Sequence, residues 1–332
     1  MECVMLAMTL PAIGQPLVPQ QRPQPEPGPG EVRLAVRACA VCRTDLHVVD
    51  GDLPPGPLPI VPGHEIVGTV EALGPGVSGL RLGERVGVPW LGGTCGHCFY
   101  CGHGQENLCD TPVFTGYLRD GGFATQVIAN AQYCFSLEDV PLDDVHAAPL
   151  MCAGLIGWRA LRMAGDAQTL GLYGFGAAAH LIAQVARQQG RRVLAFTRPG
   201  DTAAQALARS LGAVWAGGSD EPSPEPLDAA LIFAPVGALV PISLAQLRKG
   251  GTVVCAGIHM SDIPAFRYRL LWEERQVRSV ANLTRADGEE FLAAARTLQL
   301  EVTTTVFPLT EANEALRQLR AGELVGAAVL VP

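Results

Sequence analysis

Two patterns of apolar positions divide this chain near residue 153. Before that point, short apolar runs alternate with Gly and Pro, and residues 31–37 alternate cleanly with a period of two. Further strands are predicted at 66–73 and 85–89, while the proline-dense stretch 16–30 excludes a helix or a central strand. Many short strands separated by Gly and Pro predict a small β-barrel-like domain.

After residue 153, apolar strands alternate with segments of helical periodicity. Strands are predicted at 169–173, 192–196, 227–233 and 252–256, and helices at 177–189, 203–211 and 240–247. This alternation predicts an α/β doubly wound parallel sheet. Two helices at 288–298 and 310–321 and a strand at 327–331 leave that pattern. We therefore expect domains at 1–152 and 153–285, with 286–332 returning to the first domain.

Composition limits the possible partners. The chain has 332 residues, of which 48% are hydrophobic, enough for two separate cores. Its net charge of -8 provides no basic surface for nucleic acid or an anionic membrane. Its apolar stretches are too short to span a bilayer, and its first residues resemble no signal peptide. We expect a cytoplasmic protein whose ten cysteines are not used for disulfides.

Residues with metal-ligand chemistry form two sets. One set has the spacing C-x2-C-x2-C-x7-C and contains Cys95, Cys98, Cys101 and Cys109. Four thiolates close a tetrahedral zinc site, although a reduced surface loop is the alternative. The second set, Cys42, His64 and Cys152, is dispersed. If the fold brings these three together, a fourth position remains for water or substrate, as a catalytic zinc requires.

A lone Cys or His is most often structural. The residues next to Cys42 favour a catalytic role for this set instead. Zinc lowers the pKa of a bound alcohol, so a proton must leave the site. Thr44 offers a hydroxyl close to the metal set, and His47 has an imidazole that exchanges protons near neutral pH. Asp45 is suited to accept a hydrogen bond from a zinc-binding imidazole.

A glycine-rich turn predicts a dinucleotide site. Gly174 permits a tight turn, Gly176 allows a pyrophosphate to approach the helix N-terminus, and Ala179 replaces the third glycine. At the end of the next strand, NAD-binding proteins carry a carboxylate for the ribose. Here Thr197 holds that position and Arg198 follows, which favours NADP over NAD unless Arg198 is simply a solvated loop residue.

The motifs together resemble the zinc-dependent medium-chain alcohol dehydrogenases. The similar segments are Gly63-His64-Glu65-x2-Gly68-x5-Gly74-x2-Val77, Cys42–His47, Trp90-Leu91, Cys95–Cys109 and 148–154. The resemblance is closest to bacterial zinc-binding alcohol dehydrogenases with yeast-type motifs. It implies a β-rich GroES-like catalytic domain joined to a Rossmann domain.

The resemblance also implies residue roles. Cys42, His64 and Cys152 would bind the catalytic zinc, with Glu65 as an outer or transient ligand. Thr44 and His47 would relay the proton, Arg43 would hold the pyrophosphate, and Trp90 would line a pocket for small primary alcohols. The four clustered cysteines would bind a structural zinc. One departure is Ile156, where members of the family often have Thr near the nicotinamide.

These features predict a zinc-dependent dehydrogenase that interconverts an alcohol and an aldehyde or ketone with NADP or NAD. The expected complement is two zinc ions per chain, and the expected assembly is a homodimer or homotetramer. One alternative is a quinone or enone reductase on the same fold, which needs no metal. The other is a redox-sensing zinc-thiolate protein that binds nucleotide without turnover.

Overall fold

The computed structural model describes residues 4–332, which form two compact units. The first unit contains the chain up to Cys152, then Asn282–Thr297 and Val302–Pro332, and the second contains Ala153–Ala281 with Leu298–Glu301. The chain thus returns to the first unit at Asn282, a few residues before the predicted boundary at 286. Within residues 4–332, no helix is long and apolar enough to cross a membrane.

The first unit is built on antiparallel strands. Its first part contains β1 (Val4–Thr9), β2 (Val18–Pro23), β3 (Glu31–Val41), α1 (Arg43–Asp50), β4 (Glu65–Leu73), β5 (Arg85–Val88), β6 (Leu91–Gly93), α2 (Phe99–Gly102), β7 (Val113–Phe114), β8 (Gln126–Asn130), β9 (Phe135–Ser136) and α3 (Asp144–Ala147). The proline-dense segment contributes β2, which pairs with β1 in a two-stranded sheet. Proline is tolerated there because an edge strand need not donate every backbone N–H.

The second unit alternates strands and helices as predicted. It contains α4 (Ala153–Met163), β10 (Thr169–Tyr173), α5 (Ala177–Gln188), β11 (Arg192–Thr197), α6 (Thr202–Ser210), β12 (Trp215–Gly218), β13 (Leu227–Ile232), α7 (Leu239–Gln246), β14 (Leu247–Cys255) and β15 (Gln276–Ser279). The strands run parallel in the order β12-β11-β10-β13-β14-β15. This is the 3-2-1-4-5-6 order of dinucleotide-binding sheets.

The end of the chain completes the first unit. It contains α8 (Arg285–Ala295), β16 (Thr304–Pro308), α9 (Ala312–Ala321) and β17 (Ala327–Val331). β17 pairs with β3, in a sheet ordered β16-β17-β3-β4-β5-β9 with β8 also on β3. Alternate residues of β3, including Val32, Leu34 and Val36, are buried in the core of this unit. The last strand therefore contributes to the first unit's core.

Several element boundaries differ from the sequence prediction. The helix expected at 288–298 is α8, which begins earlier because Thr284 and Asp287 form a capping box at its N-terminus. A capping box satisfies backbone N–H groups that a helix leaves unpaired. β14 begins at Leu247, well before the apolar run at 252, because strand pairing extends beyond the apolar residues.

Candidate metal centres and dinucleotide site

Cys42 caps the N-terminus of α1. Its Sγ accepts a hydrogen bond from Thr44 N at 3.3 Å, and Asp45 Oδ2 accepts one from Cys42 N at 2.9 Å. The thiol therefore lies where the positive end of the helix dipole favours a negative charge. The capping hydrogen bonds at the start of α1 thus hold the Cys42 sulfur in place.

His64 immediately precedes β4 and is fully buried. Its Nδ1 lies 3.1 Å from Asp45 Oδ1, which also accepts from Gly63 N at 3.2 Å. The carboxylate requires Nδ1 to carry a proton, so Nε2, 3.1 Å from Cys42 Sγ, is the ring nitrogen left to bind a metal. Gly63 has φ 98°, and an added Cβ would lie 2.4 Å from the ring of Phe123, so only glycine fits before His64.

The dispersed residues converge in the first unit. Ligand atoms of Cys42, His64, Glu65 and Cys152 all lie within 4.8 Å of one another. Glu65 is the first residue of β4, and Cys152 follows the short turn Ala148–Met151. The structure therefore brings together the predicted ligands and the predicted outer ligand Glu65.

Two thiols and a carboxylate surround the His64 imidazole in this site. Burial lowers the pKa of His64, but the charges of Cys42 and Asp45 outweigh burial and raise it above its usual value. Hydrogen bonding with Cys152 and burial raise the pKa of the Cys42 thiol, and burial followed by the charge of Cys42 raises the pKa of Glu65. The pKa of Cys152 is lowered by its bond with Cys42, but burial and nearby carboxylates outweigh this and raise it overall. Two thiols, a carboxylate and an imidazole lone pair form a donor set that fits a divalent zinc ion.

The four clustered cysteines also converge. The sulfur atoms of Cys95, Cys98, Cys101 and Cys109 lie within 4.8 Å of one another, around α2. Backbone N–H groups of Cys95 and Thr111 donate to Cys109 Sγ at 3.3 and 3.4 Å. Donation from the backbone of His97 and Cys98 lowers the pKa of Cys95 to about 6. Burial raises the pKa of Cys101 to about 11, so the loop favours the thiolate at Cys95 and not at every cysteine. Four sulfur atoms gathered within 4.8 Å nevertheless fit a closed zinc site better than an unmetallated loop.

An aromatic cluster that the sequence analysis missed lies beside His64. The Trp90 ring meets the His64 ring edge-on at 4.9 Å and stacks on Phe114 at 5.0 Å and on Tyr117 at 5.8 Å. The Tyr117 hydroxyl donates to the carbonyl of Pro54. Only Trp90 was predicted, because the cysteine loop separates it from Phe114 in sequence. Pairing of β6 with β7 brings them together.

The proposed proton-relay residues lie on α1. Thr44 is buried, and His47 is partly buried with Nδ1 2.7 Å from Asp52 Oδ2. Asp52 is therefore a partner of His47 that the sequence analysis did not include. Arg43, the predicted pyrophosphate ligand, is the exposed first residue of the same helix.

The glycine-rich turn joins β10 to α5 in the second unit. Gly174 has φ 86°, and an added Cβ would lie 2.8 Å from Ala234. Gly176 is the N-cap of α5 and provides no side-chain cap, and nothing lies within 4 Å of an added Cβ there. The first backbone N–H groups of α5 therefore donate no hydrogen bond to a capping side chain, and Ala179 in this first turn is buried. This arrangement fits an anionic pyrophosphate.

The two residues predicted to select the cofactor differ in exposure. Thr197, the last residue of β11, is buried, and its hydroxyl bonds Gly217 O at 3.3 Å and Gln205 Nε2 at 3.2 Å. Its side chain thus has protein partners and is turned inward. Arg198 is exposed. Of this pair, Arg198 has the side chain accessible to a ligand.

Comparison with known proteins identifies the family. Residues 28–139 match the alcohol dehydrogenase GroES-like domain. A probable alcohol dehydrogenase of Mycobacterium tuberculosis is 46% identical over 315 residues, which cover 92% of this chain and 90% of that protein. An alcohol dehydrogenase of Moraxella sp. is 34% identical, covering 98% of this chain and 99% of the relative. The solved cobalt- and zinc-bound thermostable alcohol dehydrogenase of Pyrobaculum aerophilum superposes with a TM-score of 0.88 at 28% identity, covering 99% of this chain and 100% of that one.

This chain belongs to the zinc-dependent medium-chain alcohol dehydrogenase family. The predicted fold class, a GroES-like domain with a Rossmann-type parallel sheet, is confirmed. As an alcohol dehydrogenase, the protein acts on small molecules of the alcohol and aldehyde class.

Proposed function

We propose that this protein is a zinc-dependent alcohol dehydrogenase that uses NADP or NAD and binds two zinc ions. The observation that carries the proposal is the donor set of Cys42, His64 and Cys152, in which Asp45 fixes the tautomer of the imidazole. A metal-free quinone or enone reductase on this fold has no use for such a set. A redox sensor that only binds nucleotide has no use for the Thr44 hydroxyl beside it.

The catalytic zinc would be held by Cys42, His64 and Cys152, with Glu65 as an outer or exchanging ligand. Zinc at this site supplies a Lewis acid that lowers the pKa of the alcohol oxygen. Asp45 increases the basicity of His64 through its hydrogen bond at 3.1 Å. Burial of Asp45 and His64 excludes water from that bond and strengthens it.

Proton release would use α1. The Thr44 hydroxyl accepts the alcohol proton and passes one of its own onward, and the His47 imidazole carries it toward solvent. Asp52 Oδ2 lies 2.7 Å from His47 Nδ1 and holds the imidazole ring in place. We therefore propose His47 as the proton acceptor of this relay.

The four-cysteine loop would hold a structural zinc. Its donor set is complete with Cys95, Cys98, Cys101 and Cys109, so no position remains for substrate. The loop also contains Glu106, whose buried carboxylate accepts from Arg285 N at 2.8 Å at the start of α8. Zinc there would therefore stabilise α8 as well as the loop.

The dinucleotide pyrophosphate would bind at the N-terminus of α5, between Gly174 and Ala179, with Arg43 as its proposed cationic partner. Arg198 supports a preference for NADP because a guanidinium pairs well with a 2′-phosphate. Thr197 contributes by carrying no carboxylate that would repel this phosphate. Its hydroxyl remains bonded to Gly217 and Gln205.

The substrate would be a small primary alcohol or the corresponding aldehyde. The supporting feature is the aromatic cluster of Trp90, Phe114 and Tyr117, whose stacking and hydrogen bond to Pro54 limit rotation of the indole. A fixed apolar wall beside His64 restricts the volume next to the metal set. Truncation by Trp90→Ala is expected to shift preference toward bulkier alcohols.

A homodimer or homotetramer is also proposed. Its support is β15, an edge strand of the parallel sheet whose four residues are exposed, together with Tyr268 and Trp272, which are 68% and 60% exposed. Exposed edges and aromatic side chains favour pairing with another chain. Sedimentation of wild type, Trp272→Ala and the control Phe99→Ala tests this, and a wild-type monomer at micromolar concentration contradicts it.

The activity is tested with a panel of alcohols and aldehydes run with NADP and with NAD, following the reduced cofactor by absorbance. Turnover of primary alcohols that is lost on zinc removal supports the proposal. Equal reduction of quinones or enones by metal-free protein supports the reductase instead. Nucleotide binding without turnover of any substrate supports the sensor.

A further inference from the structure

A polar stripe on α5 binds a short segment of the returning chain. His180 Nε2 donates to Glu301 O at 2.8 Å. The Gln184 amide donates to Glu301 O at 2.9 Å and accepts from Glu301 N at 2.8 Å. The Gln188 amide donates to Gln299 O at 3.1 Å and accepts from Gln299 N at 3.4 Å. All of these residues belong to the second unit.

We call these hydrogen bonds from α5 side chains to the backbone of Gln299 and Glu301 the ladder. Its spacing has a geometric reason. Residues four apart on a helix are separated by about 6 Å along its axis. Residues two apart on an extended chain are separated by about 6.6 Å. Gln184 and Gln188 therefore bind Glu301 and Gln299 as a neighbouring strand would, with each amide making a donor and an acceptor bond. The backbone of the segment Leu298–Glu301 is thus bound by side chains, in a defined register.

The ladder begins where the dinucleotide turn ends. His180 N donates to Gly176 O at 2.9 Å, so His180 closes the first turn of α5. The three residues between them are alanines, which have no hydrogen-bonding side chains, and Gly176 provides no cap. The apolar contacts of α5 are non-directional and resist a small shift along the helix axis only weakly. The paired hydrogen bonds of buried His180 and Gln184 are directional and oppose such a shift.

We propose that His180, Gln184 and Gln188 are positioning residues for dinucleotide binding, which hold α5 and its N-terminal turn in register on the segment Leu298–Glu301. This inference rests on the proposed role of Gly174–Ala179 as the pyrophosphate site. The three residues act through α5 and do not touch the cofactor. Loss of the ladder would leave α5 folded but would let its first turn move relative to the parallel sheet. Such movement would weaken phosphate binding, because a phosphate needs several N–H groups aligned.

The test compares Gln184→Met with Gln189→Met in the full-length zinc-loaded protein. Methionine matches glutamine in length but cannot form the paired bonds, and Gln189 is the exposed C-cap residue of the same helix, outside the ladder. Titration with NADP and with NAD, followed by protein fluorescence, gives the Kd. We expect Gln184→Met to raise the Kd about fivefold, a loss of about one hydrogen bond, while Gln189→Met leaves it unchanged. Zinc content and kcat at saturating cofactor should remain those of wild type.

A second pair covers the case in which Gln184→Met fails to fold. His180→Gln keeps a donor near Glu301 O and should keep the wild-type Kd, whereas His180→Leu should raise it. Hydrogen exchange of the Glu301 amide reports the ladder separately and should accelerate about tenfold in Gln184→Met. Faster exchange with an unchanged Kd overturns the positioning role. Failure of the wild-type protein to bind either dinucleotide would overturn the proposed function itself. Exchange of the Glu301 amide is measured without cofactor, so it distinguishes this result from failure of the positioning role.

Discussion

His64 Nδ1 lies 3.1 Å from Asp45 Oδ1, and both side chains are fully buried. The same carboxylate also accepts hydrogen bonds from Gly63 N and Cys42 N. One aspartate on α1 thus orients two of the three proposed zinc ligands, the imidazole directly and the thiol through the backbone. The site is therefore built around Asp45 as much as around its ligands.

Asp45→Asn should weaken zinc binding at this site by about 10- to 100-fold, because a neutral amide increases the basicity of His64 less than a carboxylate does. Competition with a chromogenic chelator measures the affinity. Asp52→Asn is the control. Asp52 contacts His47 and is not one of the proposed zinc ligands, so this variant should retain zinc. An unchanged zinc affinity in Asp45→Asn would remove the orienting role.

The two metal sites should respond differently to loss of one thiolate. Cys152→Ser should abolish turnover and leave the unfolding midpoint near that of wild type, because the open site serves chemistry. Cys98→Ser should mainly lower thermal stability, because the closed site holds the cysteine loop and α8. Metal analysis and thermal unfolding of each variant check this, and a fully active wild type with one zinc per chain contradicts it.

His47→Gln should slow alcohol oxidation most at low pH. The reaction releases a proton, and an imidazole offers a base when hydroxide is scarce, whereas glutamine does not. As pH rises, solvent base replaces His47 and the rates of variant and wild type should converge. The pH profile of kcat/KM measures the effect. A profile parallel to wild type at every pH would exclude His47 from proton transfer.

Arg198→Ala should lower kcat/KM for NADP about tenfold or more and leave NAD unaffected, because it removes a charge-assisted hydrogen bond worth about 1.5–3 kcal/mol. Arg192→Ala, at the opposite end of β11 in an ion pair with Glu225, is the matched control. Thr197→Asp should reverse the preference by repelling a 2′-phosphate, but it also places a carboxylate at a buried position. A tenfold wild-type preference for NAD contradicts this account.

Tyr173→Phe should raise the free energy of unfolding by about 1 kcal/mol, since a buried hydroxyl without a hydrogen bond costs energy. Tyr173 is fully buried, stacks on Phe196 at 4.3 Å, and its hydroxyl lacks a partner among residues 4–332. Tyr133→Phe is the control and should lose about 1 kcal/mol, because that hydroxyl is 2.7 Å from Thr94 Oγ1. Denaturant unfolding that ranks the two variants in the opposite order contradicts this reasoning.

Sequence reasoning succeeded where the functional residues lie close together in the sequence. The cysteine loop, the run from Cys42 to His47 and the turn at Gly174 each bring specific residue types together over a few positions. It failed where contacts depend on tertiary pairing. Phe114 reaches Trp90 only because β6 pairs with β7, and the inward turn of Thr197 depends on Gln205 from the next helix. Likewise, nothing in the local pattern indicated that Gln184 binds a segment more than a hundred residues away.

The most direct measurement is the initial rate of NADP or NAD reduction by a primary alcohol as zinc is returned to metal-free protein. If four cysteines hold one zinc and Cys42, His64 and Cys152 hold the other, the rate should be zero without metal. It should reach its maximum at two zinc ions per chain, and Cys152→Ser should remain inactive throughout the titration. Full turnover by metal-free wild-type protein, or equal turnover by Cys152→Ser, would contradict the account.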